Sequence, residues 1–341
     1  MTAGLTTTGA SPTGTSAARL VAVELRRLWW RRLTKALLVL AVLFTGMTVY
    51  GTYQATSSAN LEQQLRDYQQ TSAQFPEMLR DCQRAQAEAR QSGDADADLG
   101  CSEMTPPTPQ DLGLESPQAG ALTVSLSATN AALYAFLALV LGASFVGAEF
   151  SSGSLGTWLT FEPRRHRVAA SKLVAAAAGG AAIAALGLAL TVLGAWVVSQ
   201  VNRPDPALQL PTATGPGDSV TQMLLRCLLV GVIAAVAGVA LALLVRNTGA
   251  VVAIVLGYSI VVEGIIAQGL GRGGLVPWLP LKNLEAFIQR GTTYFTEQCT
   301  AEGCQSQQMT LSYTHGWVYL SVFMAALVAV ALWLFRRRDV S

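Results

Sequence analysis

The sequence has few charged residues and few groups that could catalyse a reaction. Only 13% of its 341 residues are Asp, Glu, Lys or Arg, against about 25% in an average soluble globular chain. It contains no G-x-x-x-x-G-K-(S/T) motif, so the chain has no P-loop with which to hydrolyse ATP. It lacks a G-x-S-x-G motif, and its two histidines, His166 and His315, are predicted to lie on opposite sides of a membrane. We therefore expect no catalysis, no cofactor and no metal site on this chain, and no nucleic-acid partner.

The sequence instead contains long runs of apolar residues. Six of them are long enough to cross a bilayer as helices, which takes about 20 residues each. The predicted spans are residues 36–53, 129–148, 173–199, 220–245, 249–267 and 315–335. Strands of a membrane barrel would alternate in polarity, whereas these runs are continuous. The fold class predicted is therefore an all-α membrane protein with six transmembrane helices.

Basic residues are concentrated on one side of these spans. Fourteen lie on that side and eight on the other, where they are spread over much longer loops. The fourteen are Arg19, Arg26, Arg27, Arg31, Arg32, Lys35, Arg164, Arg165, Arg167, Lys172, Arg246 and Arg336 to Arg338. Because loops rich in Lys and Arg stay in the cytoplasm, both termini are predicted to be cytoplasmic. The predicted location is the cytoplasmic (plasma) membrane, crossed several times.

The chain before the first span divides into two segments. Residues 1–17 are rich in Thr, Ser, Gly and Ala and are predicted to form a disordered cytoplasmic tail. Residues 18–34 are predicted to form an amphipathic helix on the inner membrane surface. Its apolar face comprises Val21, Leu25, Leu28 and Trp29, and its polar face comprises Arg19, Glu24, Arg26, Arg27 and Arg31. The alternative is a plain cytoplasmic extension of the first span.

Two long segments are predicted to lie outside the membrane. Residues 54–128 begin with helical spacing, which we expect Pro76 to break, and continue with a loop rich in Gly, Asp and Pro. This segment has too few apolar residues for a core of its own, so a helical protrusion is predicted. Residues 268–314 contain a glycine-rich stretch, Pro277 and Pro280, and then a helical pattern over 281–289. They are predicted to form an extracytoplasmic or reentrant segment.

Four of the five cysteines fall in these two outer segments. Cys82 and Cys101 share the first segment, and Cys299 and Cys304 share the second. Two cysteines per segment on the oxidising side of a membrane favour two local disulfides. The alternative is that these thiols are free.

Two ionisable residues fall within the predicted spans. Arg226 lies 20 residues before Arg246, and Glu263 lies 17 residues after it, so both should reach a similar depth in the outer leaflet. Charged groups are costly there, which favours an intramembrane charged pair between Arg226 and Glu263. The alternative is that Arg226 extends to the outer headgroups.

The loop 149–172 carries the most distinctive pattern. Glu149 ends the second predicted span, and Gly153 permits a turn into a short helix over 155–161. Leu155, Trp158 and Leu159 would form one apolar face of that helix. Pro163 would end it, and Arg165 would lie at the inner membrane surface. Such a helix could press on a cytoplasmic partner; alternatively, the loop could only set the orientation of the spans.

This loop resembles the cytoplasmic loop of permeases of the type-2 ABC exporter family. That family shows E-aromatic-x-x-G-(S/T)-L, then L-(S/T), Pro and Arg. The matching residues here are Glu149, Phe150, Gly153, Ser154, Leu155, Leu159, Thr160, Pro163 and Arg165. Six spans, internal termini, an amphipathic helix before the first span and a reentrant segment before the last also resemble this family.

The resemblance implies a permease subunit of an ATP-driven exporter. A separate cytoplasmic ATPase would bind ATP and Mg²⁺, and a second permease subunit, identical or different, would complete the transporter. The loop residues Glu149, Gly153, Leu155, Trp158, Leu159, Pro163 and Arg165 would couple the ATPase to the spans. The cargo is expected to be hydrophobic or amphiphilic, and membrane lipid is a further partner. The alternative function is a non-transporting sensor or assembly scaffold that binds a ligand or partner through its outer segment.

Overall fold

The computed structural model describes residues 17–92, 99–109, 114, 116–154, 156, 160, 164–203, 219–266, 273–300 and 303–337, with the backbone alone at 266, 273, 297–300 and 303–306. The helices are α1 (Ala17–Trp30), α2 (Arg32–Ala55), α3 (Ser58–Gln91), α4 (Ala119–Ser151), α5 (Arg165–Val201), α6 (Val220–Val245) and α7 (Thr248–Gly257). A π-helical segment (Tyr258–Ile266) continues α7. A 3₁₀ turn (Gly273–Trp278), α8 (Pro280–Gln289), strands β1 (Gly291–Thr300) and β2 (Gly303–Ser312), and α9 (Tyr313–Arg337) follow.

Six of the described helices are long and apolar enough to cross a membrane. They are Arg32–Ala55, Ala119–Ser151, Arg165–Val201, Val220–Val245, Thr248–Ile265 and Tyr313–Arg337. The predicted class, an all-α membrane protein with six spans, is therefore confirmed.

The chain forms two compact units. The first comprises Met1–Val42, Asn130–Leu188 and Met223–Ser341, and the second comprises Leu43–Thr129 and Ala189–Gln222. The core of the first unit is made largely of small side chains from α4, α5 and α6, including Ala138, Ala176 and Ala235, all fully buried. Small side chains let helix backbones approach closely, which is a common means of packing helices in membranes.

Glycines make the closest of these approaches. A Cβ on Gly142 of α4 would lie 2.0 Å from the carbonyl oxygen of Ala235 in α6, and a Cβ on Gly238 of α6 would lie 2.1 Å from that of Leu139. A Cβ on Gly180 of α5 would lie 2.4 Å from the carbonyl oxygen of Gly231 in α6. Helices α4 and α5 therefore each touch α6 through backbone atoms, at positions that only glycine can occupy without displacement.

The second unit contains the long helix α3, which corrects the expected break at Pro76. The helix runs without interruption from Ser58 to Gln91 with Pro76 inside it. Proline removes one backbone hydrogen bond of the helix, but the turns on either side keep theirs, so a helix can continue through it with a bend. The side chain of Arg80 also donates a hydrogen bond, 3.0 Å long, to the Pro76 carbonyl oxygen.

The predicted Cys82–Cys101 disulfide is confirmed. It links α3 to the segment that leads back towards α4. In the second predicted outer segment, the register of β1 and β2 places the backbones of Cys299 and Cys304 directly opposite each other. Their side chains lie outside the described residues, so the second disulfide stays a prediction.

The β1–β2 hairpin was not predicted from the sequence. Its register pairs Gly291 with Ser312 and runs to Thr300 opposite Gly303. The run Thr292 to Thr296 consists of β-branched and aromatic residues, the types enriched in strands, and was the signal that could have revealed it.

Candidate functional site

Five charged side chains meet where α1, α4 and α5 come together in the first unit. We call Glu24, Arg27, Arg31, Glu149 and Lys172 the charge cluster. Its centre is the Lys172 ammonium, whose Nζ lies 2.9 Å from Glu24 Oε1 and 2.7 Å from Glu149 Oε2. Only 1% of Lys172, 2% of Glu24 and 1% of Glu149 is exposed. Because isolated buried charges are strongly unfavourable, these three groups depend on one another.

Arg27 of α1 and Arg31, which lies between α1 and α2, complete the cluster at its rim. Arg27 Nη1 lies 3.3 Å from Glu149 Oε1 and 3.6 Å from Glu24 Oε2. Arg31 Nη2 lies 3.9 Å from Glu149 Oε1, and its Nη1 donates a 3.0 Å hydrogen bond to the Ser144 carbonyl oxygen. Burial lowers the pKa of Arg31, and the negative charge of Glu149 acts in the opposite direction. With three cations and two carboxylates, the cluster has a formal charge of +1, and its excess positive charge belongs to the partly exposed arginines.

The local sequence explains why each element contributes these residues. On α1, the buried residues Leu20, Glu24 and Leu28 recur every four residues and form one face. Glu149 lies in the last turn of α4, and Lys172 lies two turns into α5. Phe145, fully buried one turn before Glu149, lies with its ring centre 5.0 Å from the Lys172 ammonium and 5.0 Å from the Arg31 guanidinium.

The charge cluster therefore contains one residue on each side of the loop between α4 and α5. Glu149 precedes the loop and pairs with Arg27 of α1, Lys172 follows the loop and pairs with Glu24 of α1, and the two also pair with each other. Ion pairs of this kind hold helices in a fixed relation, because removing one partner leaves a buried charge uncompensated. A displacement of this loop would be passed to α1, α4 and α5 together.

The loop itself is described in part. Gly153 has a φ of +67°, the left-handed conformation that favours glycine, which agrees with the turn expected there. Arg165 begins α5 and donates a hydrogen bond from Nη1 to the Phe335 carbonyl oxygen of α9 at 3.4 Å. Leu155, Trp158, Leu159 and Pro163 lie outside the described residues, so the short coupling helix stays a prediction.

A helix was predicted over residues 18–34, whereas α1 covers Ala17–Trp30 and α2 begins at Arg32; its position on the inner membrane surface stays a prediction, and the role of Glu24 was missed. Of the apolar face predicted there, Leu28 is buried, Val21 is half-buried, and Leu25 and Trp29 are exposed. Glu24 was assigned to the polar face, yet it lies inside the cluster. A signal was present, because Glu24 is the only acidic residue between Arg19 and Lys35, among six basic ones.

The structure gives Arg226 and Glu263 different neighbours. The Arg226 guanidinium lies 6.0 Å from the centre of the Tyr313 ring, and Nη2 contacts Met223 Sδ at 3.8 Å. The Glu263 carboxylate accepts hydrogen bonds from the Leu281 amide, at 3.0 Å and 3.1 Å. The ion pairs between described residues do not include one that joins the two.

Comparison with known proteins agrees with this architecture. The family model described as "ABC-2 family transporter protein" matches residues 19–340, which is nearly the whole chain and includes every residue of the charge cluster. No curated protein and no solved structure matches the chain. Six apolar helices, and a family match that extends from α1 beyond α9, establish that the chain belongs to the ABC-2 family of transporter proteins and is a multi-pass membrane component of an ABC transporter.

Proposed function

We propose that this chain is the permease subunit of an ATP-driven exporter that moves a hydrophobic or amphiphilic substrate across the cytoplasmic membrane. ATP and Mg²⁺ would bind a separate cytoplasmic ATPase subunit, and a second permease subunit would complete the transporter. The observation that carries the proposal is the charge cluster, which ties the helices on both sides of the 152–164 loop to α1.

The cluster supports a mechanical role for the loop. An ATPase that closes on ATP would push on the predicted helix 155–161, and the push would reach α4 through Glu149 and α5 through Lys172. Because Glu24 pairs with Lys172 and Arg27 pairs with Glu149, α1 would move with them. The exposed indoles of Trp29 and Trp30 suit the headgroup layer, so α1 would slide along the inner membrane surface as the spans rearrange.

Affinity purification of the tagged chain in mild detergent tests the proposal. We expect mass spectrometry to identify a Walker-motif ATPase in the wild-type preparation. The double variant Leu155→Asp, Trp158→Asp should lose it, because two carboxylates replace the apolar face of the predicted coupling helix. Arg66→Ala is the matched control, since Arg66 is exposed on α3 and its ion pair is with Glu62 of the same helix, at 3.9 Å.

Transport is then measured directly. The chain and the recovered ATPase are reconstituted together, and accumulation of a fluorescent amphiphile in the vesicles is followed with and without ATP. A well-folded chain that recovers no Walker-motif ATPase would contradict the exporter proposal and would favour a sensor or assembly scaffold.

A further inference from the structure

We propose that Glu263 and the aromatic side chains beside it bind the positively charged group of a cationic amphiphile, which would be a substrate class of this transporter. The inference rests on the proposed export function. It starts from a carboxylate that lies inside a candidate span and from the rings that surround it, all within the first unit.

A neutral donor holds the Glu263 carboxylate in place. The Leu281 amide, in the first turn of α8, donates to both carboxylate oxygens. Tyr258 and Glu263 are five residues apart in the π-helical segment, so one π-helical turn brings them side by side. The Leu281 amide fixes the position of the carboxylate and carries no charge that would compensate it.

Glu263 differs from the other carboxylate in the candidate spans in its charged neighbours. Of the described residues in these six helices, only Glu149 and Glu263 are acidic. Glu149 lies within 4 Å of three cations, whereas the ion pairs of the described residues do not include Glu263. The nearest lysine in sequence to the Leu281 donor, Lys282, pairs with Glu285 at 2.9 Å instead. A carboxylate within a candidate span is costly, and a bound cation would compensate it.

Aromatic rings form a ladder next to this carboxylate. His315, Tyr319 and Phe323 recur every four residues on α9, with stacked rings 6.5 Å and 6.1 Å apart. The Trp278 ring lies edge-on to His315 at 6.2 Å, and the Tyr319 hydroxyl donates to the Trp278 carbonyl oxygen. Tyr319 is close enough to Glu263 to interact with its charge.

The ladder offers the surface that a cation with an apolar body would need. Aromatic faces attract cations, most strongly where water is excluded. Trp278 is 65% exposed and Phe323 is also exposed, so the ends of the ladder are accessible to a ligand. A carboxylate of fixed position beside accessible rings matches a lipophilic ammonium or phosphonium ion better than a neutral or anionic amphiphile.

A purely structural role for Glu263 makes a different prediction. If Glu263 only capped α8, an uncharged amide oxygen would serve, because it can also accept the Leu281 hydrogen bond. Glu263→Gln keeps that acceptor and removes the charge. Glu285→Gln is the matched control: it removes a carboxylate from α8 whose partners are Lys282 and Thr292.

The experiment measures ligand binding to the full chain in nanodiscs of phosphatidylcholine, with empty nanodiscs as the blank. The probes are tetraphenylphosphonium, a lipophilic cation, and triphenylphosphine oxide, a neutral molecule with similar rings. We expect Glu263→Gln to weaken tetraphenylphosphonium binding by about tenfold or more and to leave triphenylphosphine oxide binding unchanged. Glu285→Gln should bind both probes as the wild type does.

Equal binding of tetraphenylphosphonium to the wild type and to Glu263→Gln, in variants of equal thermal stability, would overturn the inference. So would wild-type binding that does not favour the cation over the neutral probe. The proposed function is separated from this result, because binding needs no ATPase. ATP-dependent transport of neutral amphiphiles without cation selectivity would contradict the inference about Glu263 but would support the exporter proposal.

Discussion

At the residue scale, two lysines show how burial decides the importance of an ion pair. Lys172 and Lys282 each lie 2.9 Å from a glutamate oxygen. Lys172 is 1% exposed and shares its charge with two carboxylates, whereas the Lys282 side chain is 25% exposed and pairs with a partly exposed glutamate on its own helix. The two distances are equal, but the surroundings differ, so we expect very different effects on stability.

Replacing Lys172 by methionine should therefore destabilise the protein strongly. The change leaves Glu24 and Glu149 buried together without their central cation, which costs about 3 to 5 kcal/mol. Thermal unfolding in detergent, followed by size-exclusion chromatography, measures the loss. Lys282→Met is the control and should cost no more than about 1 kcal/mol. Equal midpoints for the two variants would contradict the importance given to the charge cluster.

Gly142 gives a second prediction at this scale. In Gly142→Ala, the added Cβ would overlap the Ala235 carbonyl oxygen, a backbone atom that cannot rotate away. We expect a loss of about 1 to 3 kcal/mol from this overpacking. In Gly46→Ala, on α2, the added Cβ meets nothing within 4 Å. The control should be neutral or gain up to about 1 kcal/mol of helix propensity, and a stabilising effect of Gly142→Ala would refute the close helix contact.

At the element scale, helices were predictable where one local pattern determined them. The apolar runs of α2, α4, α5, α6, α7 and α9 follow directly from the sequence, because lipid selects for continuous apolar residues. The role of Glu24 was not predictable from the α1 pattern, because its partner Lys172 lies 148 residues away. Pro76 was read as a break from its usual effect, although a helix of 34 residues has enough other backbone hydrogen bonds to continue.

The disulfide of α3 can be tested as a property of this element. Cys82→Ser removes a link between residues 19 apart, which in the chain-entropy account stabilises a folded segment by about 3 kcal/mol. We expect trypsin to cleave the α3 segment faster in this variant, at its exposed arginines. Cys227→Ala removes a buried thiol of α6 instead, and trypsin should cleave this variant at the wild-type rate. Unchanged cleavage after reduction of the wild type would show that the disulfide does not hold this segment.

At the scale of the whole molecule, the number of spans follows from hydropathy, but orientation depends on the distribution of charge. The charge cluster and the arginines near it lie beside the loop between α4 and α5, whereas α3 and the hairpin carry the predicted disulfides. By the positive-inside rule, we predict that the first group lies in the cytoplasm. The contacts within the cluster could not be predicted in this way, because they join segments distant in the sequence.

Labelling with a membrane-impermeant maleimide tests this orientation in intact cells. Arg66→Cys on α3 should be labelled, and Ser152→Cys after α4 should be labelled only once the membrane is permeabilised. Both are made in a background of Cys227→Ala, Cys299→Ser and Cys304→Ser, which keeps the Cys82–Cys101 disulfide. Labelling of Ser152→Cys in intact cells would reverse the predicted orientation.

The glycine contacts of α4 with α6 restrict how these helices can move. If α4 slid by about one turn, Ala138 or Val146 would arrive at the position of Gly142, where the Ala235 carbonyl leaves no room for a Cβ. Rotation about the point of contact brings no new side chain into it. We therefore expect α4 and α6 to change their crossing angle during a transport cycle rather than to slide. Displacements would then be smallest at the glycines, which act as the pivot, and would grow towards the helix ends.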